Sequence, residues 1–193
     1  MAGKPSPWPL HREHTGETRT ISSTVSPPSS YLTQILAALG LQSPRSFHQD
    51  PAFLLLVALG PMVWLAMTGF SALHPLPWQA LRSPAFLSAA LWQPLFEELL
   101  FRGIVQGYAL QSRGMQKAWN GITLANLLTS LLFSLVHLAS HSIGWAFLIF
   151  VPALCFGFVR DRFGSVYPAI ALHVFYNAGY FSLVGGTSLL NSR

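Results

Sequence analysis

The 193-residue chain is 51% hydrophobic and only 9% charged, with a mean hydropathy of +0.44. Soluble domains carry about 25% charged residues, so the composition excludes an ordinary soluble domain and indicates a membrane protein. The net charge of +5 comes from scattered Lys and Arg residues that form no basic patch, which argues against nucleic-acid binding. The single cysteine, Cys155, excludes an intramolecular disulfide framework and a four-cysteine metal site.

The N-terminal part of the chain is polar. Residues 1–30 are rich in Pro, Ser, Thr, His and charged residues and contain no apolar run. Residues 1–45 are therefore predicted to form a disordered cytoplasmic tail. Within this tail, residues 31–41 are amphipathic and are a candidate for a short helix on the membrane surface.

Residues 46–193 are predicted to form one multi-pass membrane domain. About 20 helical residues cross a bilayer core of about 30 Å, and helices satisfy their own backbone polar groups in lipid. The segments that meet this requirement lie at about 51–73, 84–107, 121–139, 143–159 and 166–184. The expected fold is an all-α membrane protein of about five transmembrane helices with a polar intramembrane cavity. The segment 116–124 is expected to begin as an interfacial helix.

The distribution of Lys and Arg predicts the topology. After alternating crossings, one side of the membrane receives most of the basic residues, namely Lys4, Arg12, Arg19, Arg45, Arg113, Lys117, Arg160 and Arg162. The other side receives only Arg82 and Arg193. Because cytoplasmic loops are enriched in Lys and Arg, this asymmetry places the N-terminus in the cytoplasm and predicts a bacterial inner (cytoplasmic) membrane protein.

The second apolar segment contains three charged residues: Glu97, Glu98 and Arg102. A charge at membrane depth costs roughly 2.5–3.5 kcal/mol on insertion scales, so each of these needs a partner. Glu98 and Arg102 are spaced i, i+4, share one helix face and are expected to pair. Glu97 lies about 100° around the helix and is expected to face another helix.

Two further segments each place a histidine inside the membrane. The third segment ends in Phe133-Ser-Leu-Val-His137, and the fifth contains His173-Val-Phe-Tyr-Asn177, with His173 and Asn177 on one face. A Glu and a His can activate water, while a second His and an Asn can donate hydrogen bonds to a developing oxyanion. These residues indicate a peptide hydrolase that needs no nucleophilic side chain.

Three motifs, Glu-Glu-x-x-x-Arg, Phe-x-x-x-His and His-x-x-x-Asn, follow one another on separate predicted helices. In this order they resemble the CPBP family of CAAX-processing and bacteriocin-processing intramembrane proteases, which includes Rce1-type and Abi-like proteins. The resemblance covers residues 84–184, about half of the chain. The chain differs from larger members in having about five predicted spans instead of about eight.

The resemblance implies an intramembrane glutamic-type endopeptidase with Glu97 as general base and His137 orienting the water. It further implies an oxyanion site at His173 and Asn177, supported by Glu98 and Arg102. The implied substrate is a membrane-anchored protein or peptide, cleaved by CAAX-type, C-terminal or precursor processing. No cofactor is expected, and the oligomeric state stays open.

Three alternatives remain open on the sequence alone. Glu97, His137 and His173 form a candidate three-ligand zinc site, although no His-Glu-x-x-His helix is present. The polar residues would also suit a non-catalytic membrane scaffold that binds a peptide or confers immunity. A proton-coupled transporter is less favoured because the sequence has no recognisable inverted repeat. Neither Ser130 nor Ser134 lies in a Gly-x-Ser-x-Gly motif, so serine chemistry finds little support.

Overall fold

The computed structural model describes residues 31–44, 46–67 and 75–184, and this part of the chain is mostly helical. Most of the predicted disordered tail, residues 1–30, lies outside the described residues, as do the end of the first predicted span and the C-terminus. The helices are α1 (Tyr31–Ala38), α2 (Pro51–Met67), α3 (Pro84–Leu87), α4 (Gln93–Glu98), α5 (Gln106–Ala109), α6 (Leu124–Val136), α7 (Ile143–Phe163) and α8 (Tyr167–Leu183). Short 3₁₀ helices lie at Phe47–Gln49, Trp78–Arg82 and His137–Ala139.

Helices α3, α4 and α5 belong to one continuous helix, residues 84–109, which we call the glutamate helix. It begins with Pro84 in its first turn and with the Ser83 hydroxyl accepting a hydrogen bond from the Phe86 N–H at 3.2 Å. Two π-helical segments, Ser88–Trp92 and Leu99–Val105, interrupt the α-helical hydrogen bonding. Such wide turns are often found at functional sites, and here they flank the two glutamates.

Residues 116–124 do not form the expected interfacial helix. They contain a two-stranded antiparallel hairpin, β1 (Ala118–Trp119) and β2 (Ile122–Thr123). The turn residues Asn120 and Gly121 both have positive φ, 49° and 83°, as a two-residue hairpin turn requires. Thr123 then caps α6 by accepting a hydrogen bond from the Asn126 N–H at 3.0 Å, so α6 begins three residues later than predicted.

Helices α6, α7 and α8 pack against one another and against the glutamate helix. Asn126 of α6 is fully buried, and its amide donates to the Leu154 carbonyl of α7 at 3.0 Å. Gly157 makes this close approach possible, because any Cβ at this position would collide with the Asn126 amide. Polar side chains and small residues thus hold the helices together, as is common between membrane helices.

Outward-facing positions on these helices are strongly apolar. Exposed leucines on α6 are Leu124, Leu127, Leu128, Leu131, Leu132 and Leu135. Exposed apolar residues on the glutamate helix are Leu87, Leu91, Trp92, Phe96, Leu100 and Ile104. The buried positions of the same helices include Glu98, Arg102, Gln106, Asn126, Thr129 and Ser130. Polar groups inside and apolar groups outside are the arrangement that lipid favours.

One helix within the described part of the chain, Ile143–Phe163, is both long and apolar enough to cross a membrane. Pro51–Ala66 and Leu124–Ala139 are apolar but shorter. The glutamate helix is long enough, at 84–109, but is divided by its π-helical turns. The helical prediction is confirmed, whereas the number of five spans stays a prediction.

Candidate active site

Glu98 forms the buried centre of the polar site. Its side chain is completely inaccessible to solvent, and its Oε1 lies 2.8 Å from Nδ1 of His173 on α8. Its Oε2 lies 3.2 Å from Nε of Arg102, one turn along the glutamate helix. This second contact does not have hydrogen-bond geometry, so it is an ion pair. The carboxylate therefore joins the imidazole on one side and the guanidinium on the other.

The guanidinium of Arg102 has hydrogen-bond acceptors for only some of its N–H groups. Its Nη2 donates to the carbonyl of Ala153 on α7 at 2.8 Å, and its Cζ lies 4.7 Å from the ring centroid of Phe133. Its Nη1 has no hydrogen-bond partner among the described residues. Because the guanidinium is fully buried, Glu98 provides the main compensation for its charge.

Glu97 faces away from this pair, as the rotation of about 100° per residue requires. Its side chain keeps 31% of its accessible surface, and its Oε2 lies 3.8 Å from Nε2 of His173. The two ring nitrogens of His173 thus face two different carboxylates. Because Nδ1 contacts a carboxylate oxygen, it carries the proton there.

His137 follows the last turn of α6, where the chain continues as a 3₁₀ turn. Its Nδ1 lies 2.8 Å from the carbonyl oxygen of Phe133, and because a carbonyl only accepts, Nδ1 is the protonated nitrogen. Nε2 of the neutral ring is then an acceptor. The ring centroid of Phe133 lies 4.6 Å from that of His137 and 5.9 Å from that of His173. One phenyl ring thus separates and positions the two imidazoles.

Asn177 supplies a hydrogen-bond donor that the backbone of the glutamate helix lacks at one position. In the π-helical turn Ser88–Trp92, the Gln93 N–H bonds back to the Ser88 carbonyl five residues earlier. The next bond in that series would need an N–H at residue 94, but Pro94 has none. The Asn177 amide instead donates to the Ala89 carbonyl at 3.1 Å. One amide hydrogen is used here, and the other is free for a second acceptor.

Glu97, His137, His173 and Asn177 line one partly open cavity of about 360 Å³. Its other lining residues are Val63, Trp64, Gln93, Phe133, His141, Trp145, Ile149, Pro152, Phe156, Tyr176, Tyr180 and Phe181. The two supporting residues, Glu98 and Arg102, do not line the cavity and lie behind its wall. All four residues that were predicted to be catalytic therefore share one space.

Several lining residues were not predicted from the sequence. Gln93 precedes Glu97 by four residues, and this spacing alone places it on the same face. His141 lies between the third and fourth predicted spans, and its ring stacks near that of His137, with centroids 6.0 Å apart and planes 14° apart. Burial and the neighbouring His137 lower the pKa of His141 from its ordinary value of 6.5. No sequence spacing indicated that this loop turns back over the cavity.

The described residues contain no group of three His, Cys, Asp or Glu side chains arranged to hold a metal ion. The zinc alternative named Glu97, His137 and His173. In their present positions, Nδ1 of His173 is engaged by Glu98 and Nδ1 of His137 by the Phe133 carbonyl. Each of these two rings would therefore have to coordinate a metal ion through Nε2.

The family model for type II CAAX prenyl endopeptidase Rce1-like proteins matches residues 78–179, just over half of the chain. The matched region begins before the glutamate helix and ends within α8. It includes the six site residues named from the sequence: Glu97, Glu98, Arg102, His137, His173 and Asn177. No curated protein and no solved structure matches the chain. Proteins of this family are integral membrane proteases. The chain belongs to the Rce1-like family, and the predicted resemblance is confirmed.

Proposed function

We propose that the protein is an intramembrane endopeptidase that hydrolyses a peptide bond of a membrane-associated protein or peptide with glutamate-activated water. The observation that carries this proposal is the convergence of Glu97, His137, His173 and Asn177 on one cavity. A carboxylate and an imidazole acceptor provide sites that can polarise a water molecule, and the remaining two residues provide hydrogen-bond donors. The CAAX-type activity of the family is consistent with this chemistry.

In this mechanism Glu97 is the general base. A water bound between its carboxylate and Nε2 of His137 loses a proton to Glu97 and attacks the scissile carbonyl. The carbonyl oxygen becomes an oxyanion, which accepts hydrogen bonds from Nε2–H of protonated His173 and from the free amide hydrogen of Asn177. The oxyanion then re-forms the carbonyl as the C–N bond breaks, and Glu97 returns the proton to the leaving amine nitrogen. The products are a carboxylic acid and an amine, and the reaction needs no cofactor.

Glu98 and Arg102 support this arrangement without touching substrate. Glu98 fixes the orientation of the His173 ring through the 2.8 Å contact with Nδ1. Arg102 fixes Glu98 in turn, and its Nη2 ties this pair to α7 through the Ala153 carbonyl.

We further propose five membrane spans, formed by α2, the glutamate helix, α6 with the following 3₁₀ turn, α7 and α8. The support is the apolar outer surface and the polar interior. At about 1.5 Å per residue, the 17 residues of α2 and of α8 extend about 25 Å, slightly less than a bilayer core. A mismatch of this size is accommodated by local thinning of the bilayer. With these spans, the N-terminus lies on the cytoplasmic side of a bacterial inner membrane.

The test is cleavage by the purified protein in detergent, read by mass spectrometry. The substrate panel contains prenylated CAAX peptides and membrane-anchored precursors, each incubated with and without chelator. Glu97→Gln keeps the size of the side chain but removes the base, and should lower turnover by several orders of magnitude. Asp50→Asn is the matched control, because it makes the same change at a helix cap far from the cavity.

Each outcome distinguishes a mechanism. Cleavage that survives chelator and disappears in Glu97→Gln supports the glutamate mechanism. Cleavage that chelator abolishes favours the zinc alternative instead. If no peptide in the panel is cut, and wild type and Glu97→Gln bind peptides equally, the protein is a peptide-binding scaffold and the proposed activity is wrong.

A further inference from the structure

The buried polar face of the glutamate helix continues beyond the candidate site. Glu98, Arg102 and Gln106 follow one another at a spacing of four residues, and all three are completely buried. Glu98 and Arg102 form the ion pair described above, whereas Gln106 lies one turn further along and does not line the cavity. An amide inside an apolar helix bundle needs hydrogen-bond partners, because burying it without them costs free energy. The partners of Gln106 therefore determine what this position contributes.

The amide nitrogen of Gln106 is engaged by α7. Its Nε2 donates to the Gly157 carbonyl at 3.1 Å and to Oδ1 of Asp161 at 2.7 Å. Because the carbonyl of Gly157 can only accept, the nitrogen faces that carbonyl and the amide oxygen faces away from it. Asp161 is fixed in turn by the Thr123 hydroxyl, which donates to Oδ2 at 2.6 Å. Oε1 of Gln106 is buried and has no hydrogen-bond partner in the described part of the chain.

Arg102 has the complementary unsatisfied group one turn earlier. Its Nη2 donates to the Ala153 carbonyl at 2.8 Å, and its Nε faces Glu98. The rings of Phe133 and Phe156 lie close to the guanidinium, with centroids 4.7 Å and 5.6 Å from Cζ. Nη1 is thus a buried donor for which the described residues provide no acceptor. One donor and one acceptor are left on neighbouring turns of the same helix face.

The distance between these two groups suits a single water molecule. Arg102 and Gln106 are four residues apart on the glutamate helix, and the carbonyls that they bind, Ala153 and Gly157, are four residues apart on α7. Four residues rise by about 6 Å, so the two head groups lie about that far apart along both helices. Two hydrogen bonds of about 2.9 Å in series cover nearly the same distance. A water molecule between them accepts from Nη1 and donates to Oε1.

We propose that a buried water molecule bridges Nη1 of Arg102 and Oε1 of Gln106, and that Gln106 is a positioning residue that acts on the active site through this water. Buried waters in proteins satisfy such groups with roughly two to four hydrogen bonds each. The water completes a polar chain that runs from Asp161 through Gln106 and Arg102 to Glu98. The positioning role rests on the proposed function, whereas the water site does not.

Arg102 is the point at which this chain reaches the catalytic side chains. Its Nε pairs with Oε2 of Glu98 at 3.2 Å, and Oε1 of Glu98 contacts Nδ1 of His173 at 2.8 Å. The ring of Phe156, close to the guanidinium, also stacks on the imidazole of His173, with centroids 4.5 Å apart and planes 18° apart. If the guanidinium lost one of its anchors, both contacts that orient His173 would change. Gln106 is remote from the cavity, so its effect on catalysis passes through Arg102.

Two measurements test the water without using activity. The first is a crystal structure of the wild-type protein that shows ordered waters, in which one water should lie within about 3.2 Å of both Nη1 of Arg102 and Oε1 of Gln106. A direct bond between these two atoms, or ordered side chains with no water between them, would overturn the proposal.

The second measurement is the coupling between Arg102 and Gln106. Gln106→Met removes the amide at nearly the same side-chain length and should lower the unfolding temperature in detergent. The decrease should be smaller in the Glu98→Gln, Arg102→Met background, because the donor to the water is already missing there. Equal decreases in the two backgrounds would show that the residues are not coupled and would contradict the bridge.

Kinetics test the positioning role. Gln106→Met should lower kcat by about 10–10²-fold and leave KM nearly unchanged, because a displaced His173 binds the oxyanion less well but does not alter the walls that hold the peptide. Gln111→Met is the matched control, since Gln111 also donates to a helix carbonyl, that of Gly107 at 3.3 Å, but is exposed. Both kinetic constants of this control should stay near those of wild type.

The kinetic outcomes are distinguishable from failure of the proposed function. An unchanged kcat in Gln106→Met, or an increase in KM alone, would overturn the positioning role. If wild type cuts no peptide in the panel, the proposed function is wrong and the positioning role is wrong with it. The water site is then still decided by the crystal structure and by the unfolding temperatures.

Discussion

The imidazole of His173 is bound through Nδ1 to Oε1 of Glu98 at 2.8 Å, while its Nε2 faces Oε2 of Glu97 at 3.8 Å. Adjacent glutamates on one helix thus contact opposite nitrogens of one ring. The inner carboxylate is completely buried and the outer one is partly exposed to the cavity. This difference in environment is the physical reason for assigning them different roles, one structural and one chemical.

The first prediction concerns the buried ion pair. Glu98→Gln leaves the charge of Arg102 without its compensating carboxylate, and loss of one partner of a buried pair costs about 3–5 kcal/mol. We expect a lower unfolding temperature in detergent and poor accumulation in membranes. The double variant Glu98→Gln, Arg102→Met removes both charges and should recover much of this loss, although activity should stay low because His173 has lost its carboxylate.

Glu97→Gln is the matched control for this experiment, since it makes the same substitution at the neighbouring, partly exposed position. Its unfolding temperature should stay near that of wild type. Equal unfolding temperatures for wild type and Glu98→Gln would contradict the assignment of Glu98 and Arg102 as a structural pair.

The second prediction separates the two nitrogens of His137. In His137→Asn the amide reaches about as far as Nδ1 and keeps the contact with the Phe133 carbonyl, but nothing replaces Nε2. Loss of the water acceptor should lower kcat by about 10²–10⁴-fold and leave KM nearly unchanged. His137→Gln, whose amide extends toward the position of Nε2, should retain more activity than His137→Asn. Equal activity of both variants would argue against a role for Nε2.

Local spacing predicted those parts of the site that lie on one helix. The i, i+4 relation of Glu98 and Arg102 was sufficient to predict their contact, which the structure contains at 3.2 Å. The helical phase difference also predicted that Glu97 faces another helix. The positions of His137 and His173 relative to each other depend on how the helices pack. Counting about 1.5 Å per residue from the predicted cytoplasmic ends of straight, upright third and fifth spans separates them by about 13 Å in depth. In the structure both rings contact Phe133 and line one cavity.

The hairpin has a clear sequence signal, whereas the π-helical turns and the position of His141 depend on tertiary packing that residue spacing does not encode. The dipeptide Asn120-Gly121 between Trp119 and Ile122 is a strong hairpin signal, but its apolar neighbours resembled the start of a membrane helix. The π-helical turns and the return of His141 over the cavity follow from contacts between distant segments. Such contacts are decided by tertiary packing and leave no period in the sequence.

The third prediction concerns pH. The pKa of His141 lies below 6.5 in the folded protein because of burial and the neighbouring His137. The native state therefore binds fewer protons than the unfolded state at a pH between the two pKa values of His141. The free energy of unfolding decreases as the pH falls below the ordinary pKa of the histidine. It stops decreasing once the pH is below the pKa of His141 in the folded protein. His141→Gln removes this contribution. The unfolding temperature of the variant, relative to that of wild type, should therefore increase as the pH is lowered from 8 to 5. A difference that is constant over this range would contradict the prediction.

The fourth prediction tests the link between Asn177 and Pro94. Asn177→Leu removes the donor to the Ala89 carbonyl and leaves an unsatisfied backbone acceptor inside the bundle. Such a group costs about 1–3 kcal/mol, so the unfolding temperature in detergent should fall. Pro94→Ala supplies an N–H within the helix that can bond to the freed carbonyl, and the double variant should therefore be more stable than Asn177→Leu alone.

Activity separates the structural role of Asn177 from its proposed role at the oxyanion. If Asn177 acts only through its hydrogen bond to the Ala89 carbonyl, adding Pro94→Ala to Asn177→Leu should restore cleavage together with stability. If its second amide hydrogen also binds the oxyanion, the double variant should fold but should remain about 10²-fold or more below wild type in kcat. The single variant Pro94→Ala is the control, because it keeps Asn177 and should remain active. A double variant no more stable than Asn177→Leu would show that the missing N–H of Pro94 is not what Asn177 replaces.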